Sequence, residues 1–383
     1  MSIDAPVLPW RADNQFELLV DGVQFMPRLL AALQQAQRHI DVCLYLAEDG
    51  LCASALFDAL CQQAQRGVRV RVQLDALGSR ALGNTWRQRL AAAGVVLRWF
   101  NPLSWRRGLN IFQRDHRKLI LIDGQAGFVG GMGATDEFWT PEPWPLQWHE
   151  VMVYMTGPVL ADWQALFDNH WDNKPSLSWR TLRRAHHPWW PQSAQGLGRV
   201  AFAGCERQGD ILWSLLQRLK LAQRQVCLAT PYFLPTWSVR RQLIKAAKRG
   251  VQVRLLLTSS YTDHPPVRYA GQRYYRRLLK AGVEIYEYQP RFLHLKAVLV
   301  DDWVSIGSCN FDYWGLFFNL DANLESQDPS LVQAVADMLA NDCQLSLSVS
   351  YQQWQQRPRS VRLKQWLWSL PDRLLVNLLD RRQ

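Results

Sequence analysis

No two cysteines of this chain stand as a CxxC pair, and nowhere do about 18 apolar residues follow one another without interruption. The first lack argues against a cysteine-ligated metal or a disulfide framework. The seven cysteines (Cys43, Cys52, Cys61, Cys205, Cys227, Cys309 and Cys343) are odd in number and lie mostly inside apolar stretches, so they read as buried thiols of a reducing compartment. The second leaves nothing to cross a bilayer as a helix. Nor does the N-terminus, MSIDAPVLPWRADNQFELLV, have the basic start and apolar centre of a secretory leader. Charged residues make up only 20% of the chain and runs of glycine, serine or proline are few, which excludes a disordered, collagen-like or coiled-coil protein.

Acids are the scarcer charge. Against 33 Asp and Glu stand 44 Lys and Arg, a formal net charge of +11, and such a surplus suits a polyanion, either nucleic acid or a surface of acidic phospholipid. Charge does not choose between them. Tryptophan is abundant, at 19 residues, and indole either settles at a membrane–water interface or fills a core. With 383 residues, 48% of them hydrophobic, the chain has material for two to three buried cores.

The segment from His39 to Pro102 repeats its signals between Arg224 and Pro290. In the first copy an apolar run at 40–46 precedes a helical stretch at 55–65, a break at Arg66-Gly67 and a strand at 68–75; in the second the same order is 225–233, 239–248, Arg249-Gly250 and 251–258. Each copy then offers a helix closed by Ala-Gly ahead of another strand, with Gly94 and Gly282 placed as C-terminal caps. This alternation predicts an α/β fold of two similar halves, each a mixed sheet flanked by helices. The halves are expected at 1–175 and 199–349, joined by a linker at 176–198 where Pro, Trp, His and Arg gather. A basic amphipathic tail, 350–383, follows; it suits either the headgroup region of a membrane or the surface of the body.

Each half carries one polar triplet, His116-x-Lys118-x4-Asp123 and His294-x-Lys296-x4-Asp301, 178 residues apart. The residues that follow the lysines, 119–122 and 297–300, are buried-strand sequences, and on a strand His and Lys two positions apart face the same side, about 7 Å from one another. A lone histidine beside an apolar strand is ordinarily structural, but a duplicated pair inside an internal repeat points to one shared site. Behind each triplet a small-residue turn, Gly130-Gly131-Met132-Gly133 and Gly307-Ser308-Cys309-Asn310, would let N–H groups approach an anion, which makes Gly131, Gly133, Ser308 and Asn310 the phosphate-binding candidates. Glu150 and Glu325, 34 and 31 residues after the two histidines, are the acids expected to fix an imidazole tautomer. Two histidines and two lysines, without a convergent cluster of acids or Cys/His ligands, suit phosphodiester chemistry that uses no metal and no other cofactor. One imidazole attacks phosphorus, the other protonates the leaving oxygen, and the ammonium groups stabilise the growing charge. The symmetry of the motifs does not say which histidine is the nucleophile. Asp123 and Asp301 lie about 16 Å along the strand from the lysines, too far to share a phosphate, and read as supporting residues.

The doubled HxKx4D pattern with its small-residue turns resembles the phospholipase D superfamily across residues 15–345. Within it, HRKLILID…GFVGGM, QWHEVMVYMTGPV and HLKAVLVDDWVSIGSCNFD are most similar to bacterial cardiolipin synthases of the short B type. The resemblance implies two phospholipase D-like halves packed with pseudo-twofold symmetry, a phosphohistidine intermediate, His116 as nucleophile and His294 as acid and base, with Asp123 and Asp301 counted in the catalytic signature. One position departs from the family: Gly133 stands where the family has Asn, leaving backbone N–H groups or Thr135 to replace a donor, while Asn310 keeps its place. An Asn restored at 133 is expected to leave activity intact or raise it.

The implied reaction joins two phosphatidylglycerols into cardiolipin and glycerol. The periphery of both motifs (Trp105, Arg106, Arg107, Trp144, Trp148, Trp189) suits acyl chains and acidic headgroups. Expected partners are therefore an anionic phospholipid and a membrane surface, on the cytoplasmic side and without spanning it, rather than nucleic acid. The competing reading is a phospholipase D-type hydrolase of phospholipid or nucleic-acid phosphodiesters, in which water replaces the alcohol. The oligomeric state is not written in the sequence.

Overall fold

The computed structural model describes residues 8–102, 113–172, 193–203, 209–313 and 319–368. Most of the expected linker, with Trp189 and Trp190, lies outside the described residues, as do Trp105, Arg106, Arg107, Cys205 and the tail beyond 368.

The first half runs β1 (Gln15–Val20), α1 (Gly22–Gln34), β2 (His39–Leu44), α2 (Leu51–Gln65), β3 (Arg69–Asp75), α3 (Asn84–Ala92) and β4 (Val96–Phe100). Then come the short β5 (Arg114–Asp115), β6 (Leu119–Ile122), β7 (Ala126–Gly130), β8 (Val151–Thr156) and α4 (Val159–Trp171). The second half gives β9 (Gly198–Ala203), α5 (Asp210–Leu221), β10 (Gln225–Thr230), α6 (Trp237–Lys248), β11 (Gln252–Thr258), α7 (Pro265–Gln272), α8 (Tyr275–Lys280) and β12 (Glu284–Tyr288). It closes with β13 (Ala297–Val300), β14 (Trp303–Gly307), β15 (Asn319–Ser326), α9 (Pro329–Gln344), β16 (Ser346–Ser348) and α10 (Tyr351–Gln356).

The repeat seen in the sequence is a repeat of topology. The first sheet has the order β1-β8-β7-β6-β2-β3-β4, and the second has β9-β15-β14-β13-β10-β11-β12, with β16 added at its outer edge. In each, three parallel strands meet an antiparallel meander through the strand that follows the His-x-Lys pair, β6 on β2 and β13 on β10. The motifs therefore sit where the central parallel strands end, the usual place for a site in an open α/β sheet.

Local chemistry explains the elements. The buried residues of α2, among them Cys52, Ala53, Leu56, Phe57 and Leu60, recur at helical spacing, and the helix packs them on the sheet. It starts at Leu51, earlier than the sequence suggests, because the cap comes from far along the chain: Asp136 Oδ1 accepts the Cys52 N–H at 2.9 Å. Gly94 and Gly282 take φ of +88° and +90° just after α3 and α8, a left-handed turn that lets the chain reverse into the next strand.

Three apolar cores stack across the molecule. One lies between α1–α3 and the first sheet, and another between α5, α6, α8 and the second. The central core draws on both halves, setting Leu119, Val151 and Val153 with Leu295, Ala297 and Leu299, and it includes α4 and α9. Each such buried Leu or Val contributes roughly 1.5–3 kcal/mol, so the shared core binds the halves into one body. The tryptophans divide: Trp163 and Trp303 are wholly buried, whereas Trp144, Trp237, Trp366 and Trp368 are exposed. The tail also divides. Trp354 of α10 is buried against Tyr275, ring centroids 4.8 Å apart, while the helical residues 359–368 expose Leu363, Trp366, Leu367 and Trp368. All six described cysteines are buried and free, and among the described residues no helix is long and apolar enough to cross a membrane.

Candidate active site

Each His-x-Lys segment leaves its own sheet and runs beside the other half. Residues 114–115 pair in parallel with 319–320, and the His116 N–H donates to the Leu320 carbonyl at 2.9 Å. Reciprocally, the His294 N–H donates to the His149 carbonyl at 2.8 Å. This exchange carries each histidine to an acid of the opposite half. His116 Nδ1 lies 2.9 Å from Asp321 Oδ1, and His294 Nδ1 lies 2.6 Å from Glu150 Oε2.

Glu150 thus faces a histidine, but Glu325 does not. Glu325 accepts from the buried Arg199 at 2.8 Å, and Arg199 also binds Asp210, in a cluster toward the C-terminal end of β15. The strand register shows why Asp321 stands in its place. Gly130 of β7 pairs with Met152, and Gly307 of β14 pairs with Asn323; two residues earlier on each partner strand come Glu150 and Asp321. Asp321 is the true counterpart of Glu150, and residue spacing alone missed it.

Asp123 and Asp301 stand apart from the motif histidines and lysines. Both lie in the left-handed region, φ +56° and +52°, at the far end of β6 and β13. Asp123 accepts the N–H groups of Gln37, Arg38 and His39, each at 2.7 Å; Asp301 accepts those of Gln223, Arg224 and Gln225, each at 2.9 Å. They fasten the loops that enter β2 and β10. Neither touches a motif histidine or lysine among the described contacts.

The small-residue turns fit their acids by size. A Cβ at Gly131 would lie 2.0 Å from Glu150 Oε2, so the bare glycine makes room for that carboxylate. Asp321 is one methylene shorter, and there Ser308 fills the space, its Oγ donating to Asp321 Oδ1 at 2.6 Å. A Cβ at Gly133 would stand 3.0 Å from both Cβ and O of Leu46 and 3.2 Å from the Phe138 ring. A side chain there requires Leu46 or the Phe138 ring to give way by a few tenths of an ångström. The buried Thr135 hydroxyl and the Asn310 amide oxygen have no hydrogen-bond partner, which leaves polar groups behind both turns for a ligand.

Both lysines are buried and fold back on their own motif, Lys118 Nζ donating to the His116 carbonyl at 2.7 Å and Lys296 Nζ to the His294 carbonyl. Lys296 also reaches Glu150 Oε2 at 3.3 Å and lies 2.7 Å from His294 Nδ1. Burial, then the Lys296 charge, brings Lys118 down to about 7, and burial lowers Lys296 as well. Burial and then Lys296 push His294 down to about 3; burial and then Lys118 lower His116, which also feels Lys296. Burial would raise Glu150, yet Lys296 and the His294 bond hold it at about 2. The charges of Lys118 and Lys296, one in each half, thus reach one another and both motif histidines. Phe138, Trp148 and Phe292 pack their rings 5.3, 4.9 and 5.6 Å from that of His294, and Tyr45 packs 4.9 Å from His116.

Known proteins are similar to this chain. Residues 29–171 and 215–343 each match the family described as cardiolipin synthase, PLD-like domain. Cardiolipin synthase B of Salmonella typhimurium is 36% identical over 346 residues, 87% of this chain and 82% of that one. The major cardiolipin synthase of Bacillus subtilis is 30% identical over 356 residues, 92% of this chain and 74% of that one. A phosphatidylserine synthase of Haemophilus influenzae has the same fold, with a TM-score of 0.74 at 17% identity over 97% of this chain and 96% of that one. With two motif-bearing sheets, exchanged His–acid pairs and these relatives, the chain belongs to the cardiolipin synthase family of phospholipase D-like proteins.

Proposed function

We propose that this chain passes the phosphatidyl group of one phosphatidylglycerol to the terminal hydroxyl of a second, giving cardiolipin and glycerol. The observation that carries the reading is the exchange of acids, Asp321 to His116 and Glu150 to His294, around two buried lysines. With Nδ1 turned to its acid, the His116 ring leaves Nε2 for the substrate, while His294 Nε2, 3.0 Å from Lys296 Nζ, would exchange that contact for the substrate oxygen. His116, the nucleophile by resemblance to the family, attacks phosphorus: the P–N bond forms, the bond to the glycerol oxygen breaks, and His294 gives that oxygen its proton. The phosphatidyl group then rests on His116. His294 next takes the proton of the incoming hydroxyl as that oxygen attacks phosphorus, and the P–N bond breaks.

The charge balance supports this sequence. A neutral His116 suits a nucleophile. The anionic phosphodiester, arriving between Lys118 and Lys296, raises the proton affinity of both lysines and of His294. Substrate binding thereby arms the acid. The ammonium groups, with Asn310, Thr135 and the N–H groups of the turns, would stabilise the pentacovalent phosphorane.

The protein works at the cytoplasmic face of an anionic membrane, as a peripheral enzyme. Leu363, Trp366, Leu367 and Trp368 are about half exposed on a helix that also exposes Arg359, Arg362 and Lys364. Burial, and then the charges of Arg362 and Arg276, push the Arg357 guanidinium down, a crowding of cations that acidic headgroups would relieve.

The test is to incubate the purified chain with labelled phosphatidylglycerol vesicles and identify the products. Cardiolipin with free glycerol bears out the transferase. Phosphatidic acid alone makes the chain a hydrolase, and cleavage of DNA with no change in lipid makes it a nuclease.

A further inference from the structure

His149 is 3% exposed and lies outside the chemistry described so far. Its Nδ1 stands 2.8 Å from Asp21 Oδ1 in the first half, and its Nε2 stands 3.0 Å from Asp342 Oδ2 on α9 in the second. Carboxylates accept and cannot donate, so both contacts are satisfied together only when both ring nitrogens carry hydrogen. The ring is stacked on Tyr288, centroids 5.0 Å apart at 15°, and Arg291 of the second half pairs with the remaining oxygen of Asp21. Asp21, Asp342, Arg291, Tyr288 and the neighbouring Glu150 are the titratable groups that face it.

This cluster meets the site at Glu150 and, through the His149 carbonyl, at the His294 backbone. Asp21 Oδ1 accepts the Glu150 N–H at 3.2 Å, and the Asp21 N–H donates to the Glu150 carbonyl at 2.8 Å. The His149 carbonyl takes the N–H groups of His294 and Leu295, at 2.8 and 3.0 Å. Asp21 stands at the N-cap of α1 with φ +63° and makes no side-chain cap there; its carboxylate is committed to His149, Arg291 and Glu150.

The second half provides an internal control. By the register that equates Glu150 with Asp321, His149 corresponds to Leu320. The Leu320 carbonyl accepts the His116 N–H just as that of His149 accepts the His294 N–H. An apolar side chain is therefore enough for the backbone register, and the imidazole has a separate task. Beyond its Ser308 bond, the Asp321 carboxylate has an oxygen without a partner, whereas Asp21 fastens the Glu150 backbone at both its N–H and its carbonyl.

We propose that His149 is a positioning residue: by tying Asp21 of the first half to Asp342 of the second, it fixes Glu150, and through Glu150 the orientation of His294. His116 receives no such support. The inference rests on the reading of His294 as the residue that exchanges protons with the alcohol oxygens. Burial works against a charged ring, but the Asp21 and Asp342 bonds prevail and hold His149 up at about 9.

The experiment compares two donors with the full-length protein. Phosphatidylglycerol has a glycerol leaving group that needs a proton, and phosphatidyl-p-nitrophenol has one that leaves without it. His149→Gln should lower turnover of phosphatidylglycerol about 100-fold, the scale of a misplaced catalytic group. The burst of p-nitrophenol, which reports attack by His116, should stay within about threefold of wild type. Asp342→Asn, the milder change, should show the same split to a smaller extent. Equal losses on both donors, or an unchanged turnover of phosphatidylglycerol, would overturn the proposal, as would an NMR titration in which His149 loses a ring proton below about pH 8. A wild-type enzyme that gives no burst would remove the covalent reading itself, and this inference with it.

Discussion

Glu150 of the first half takes a 2.6 Å hydrogen bond from Nδ1 of His294 in the second. Neither half can therefore assemble a complete His–acid pair by itself, and the shared core of Val151, Val153, Leu295 and Ala297 is what brings the two together. Glu150→Gln, which can leave His294 in the wrong tautomer, should reduce turnover on the order of 100- to 10,000-fold with little change in substrate affinity. Glu325→Gln, in the Arg199–Asp210 cluster, should instead lower the melting temperature and leave kcat near that of wild type, because it weakens a buried ion network remote from phosphorus. Steady-state kinetics and thermal melts of the two variants decide the matter.

The contrast between those two glutamates shows what could be read in advance. The histidines and lysines stood out because the His-x-Lys spacing occurs twice inside a longer repeat, and the βαβ order could be read because Gly94 and Gly282 mark equivalent turns. Asp321 did not stand out. The strand sequence LDANLES offers two acids four positions apart, which face the same side, and the connection from turn to acid is 20 residues from Gly130 to Glu150 but 14 from Gly307 to Asp321. Only strand pairing chooses between them. The exchange of acids between halves was also hidden, since a repeat predicts like units and not which unit supplies a partner. For Asp123 and Asp301 the strand distance from the lysines already pointed away from phosphorus, but the backbone N–H groups that they accept could not be read from the motif.

Replacing Asp123 with Ala should therefore be a stability experiment. The change leaves three backbone N–H groups without their acceptor and puts Ala at φ +56°, costing on the order of 2–3 kcal/mol. Folded protein should retain its kcat, and Asp123→Asn should recover part of the loss because Asn tolerates the left-handed conformation. A folded Asp123→Ala protein without activity would return this residue to the chemistry.

The two turns give a reciprocal pair of outcomes. Gly131→Ala places a carbon 2.0 Å from where Glu150 Oε2 now lies, so activity should vanish while the sheet persists. Ser308→Ala removes the hydrogen bond to Asp321, worth about 1.5–3 kcal/mol, and the one that Ser308 Oγ accepts from the Ala322 N–H, and should slow the reaction partially. Gly133→Asn must displace Leu46 or Phe138 and should destabilise by about 1–3 kcal/mol without raising kcat. A gain in activity for Gly133→Asn would mean that the missing amide outweighs the crowding.

Stability should carry the sign of His149. Its folded value, up at about 9, lies above the ordinary histidine value, so its contribution is complete below about pH 6.5 and is lost as pH climbs to about 9. Lys118, brought down to about 7, works in the opposite sense as pH rises. The difference in melting temperature between wild type and His149→Gln isolates the histidine: it should be largest near pH 6 and shrink toward pH 9. A difference that stays constant over that interval would mean that His149 is held by packing and not by charge.

Membrane attachment should be separable from chemistry. Gln365 is fixed between Gln272 and Arg357, at 3.0 and 2.9 Å, so the helix at 359–368 is anchored through a polar residue while its indoles and leucines face outward. Substituting Trp368 and Leu367 with Ser removes apolar surface that a bilayer would cover, at about 25 cal/mol per Å², without disturbing that anchor. Sedimentation with phosphatidylglycerol vesicles should show weaker binding, and raised salt should weaken it further because the flanking cations act through screened charge. Turnover of phosphatidylglycerol dispersed in detergent should stay near wild type. If vesicle binding is unchanged, the exposed face of this helix is not what meets the lipid, and the exposed Trp144 and Trp237 become the next residues to test.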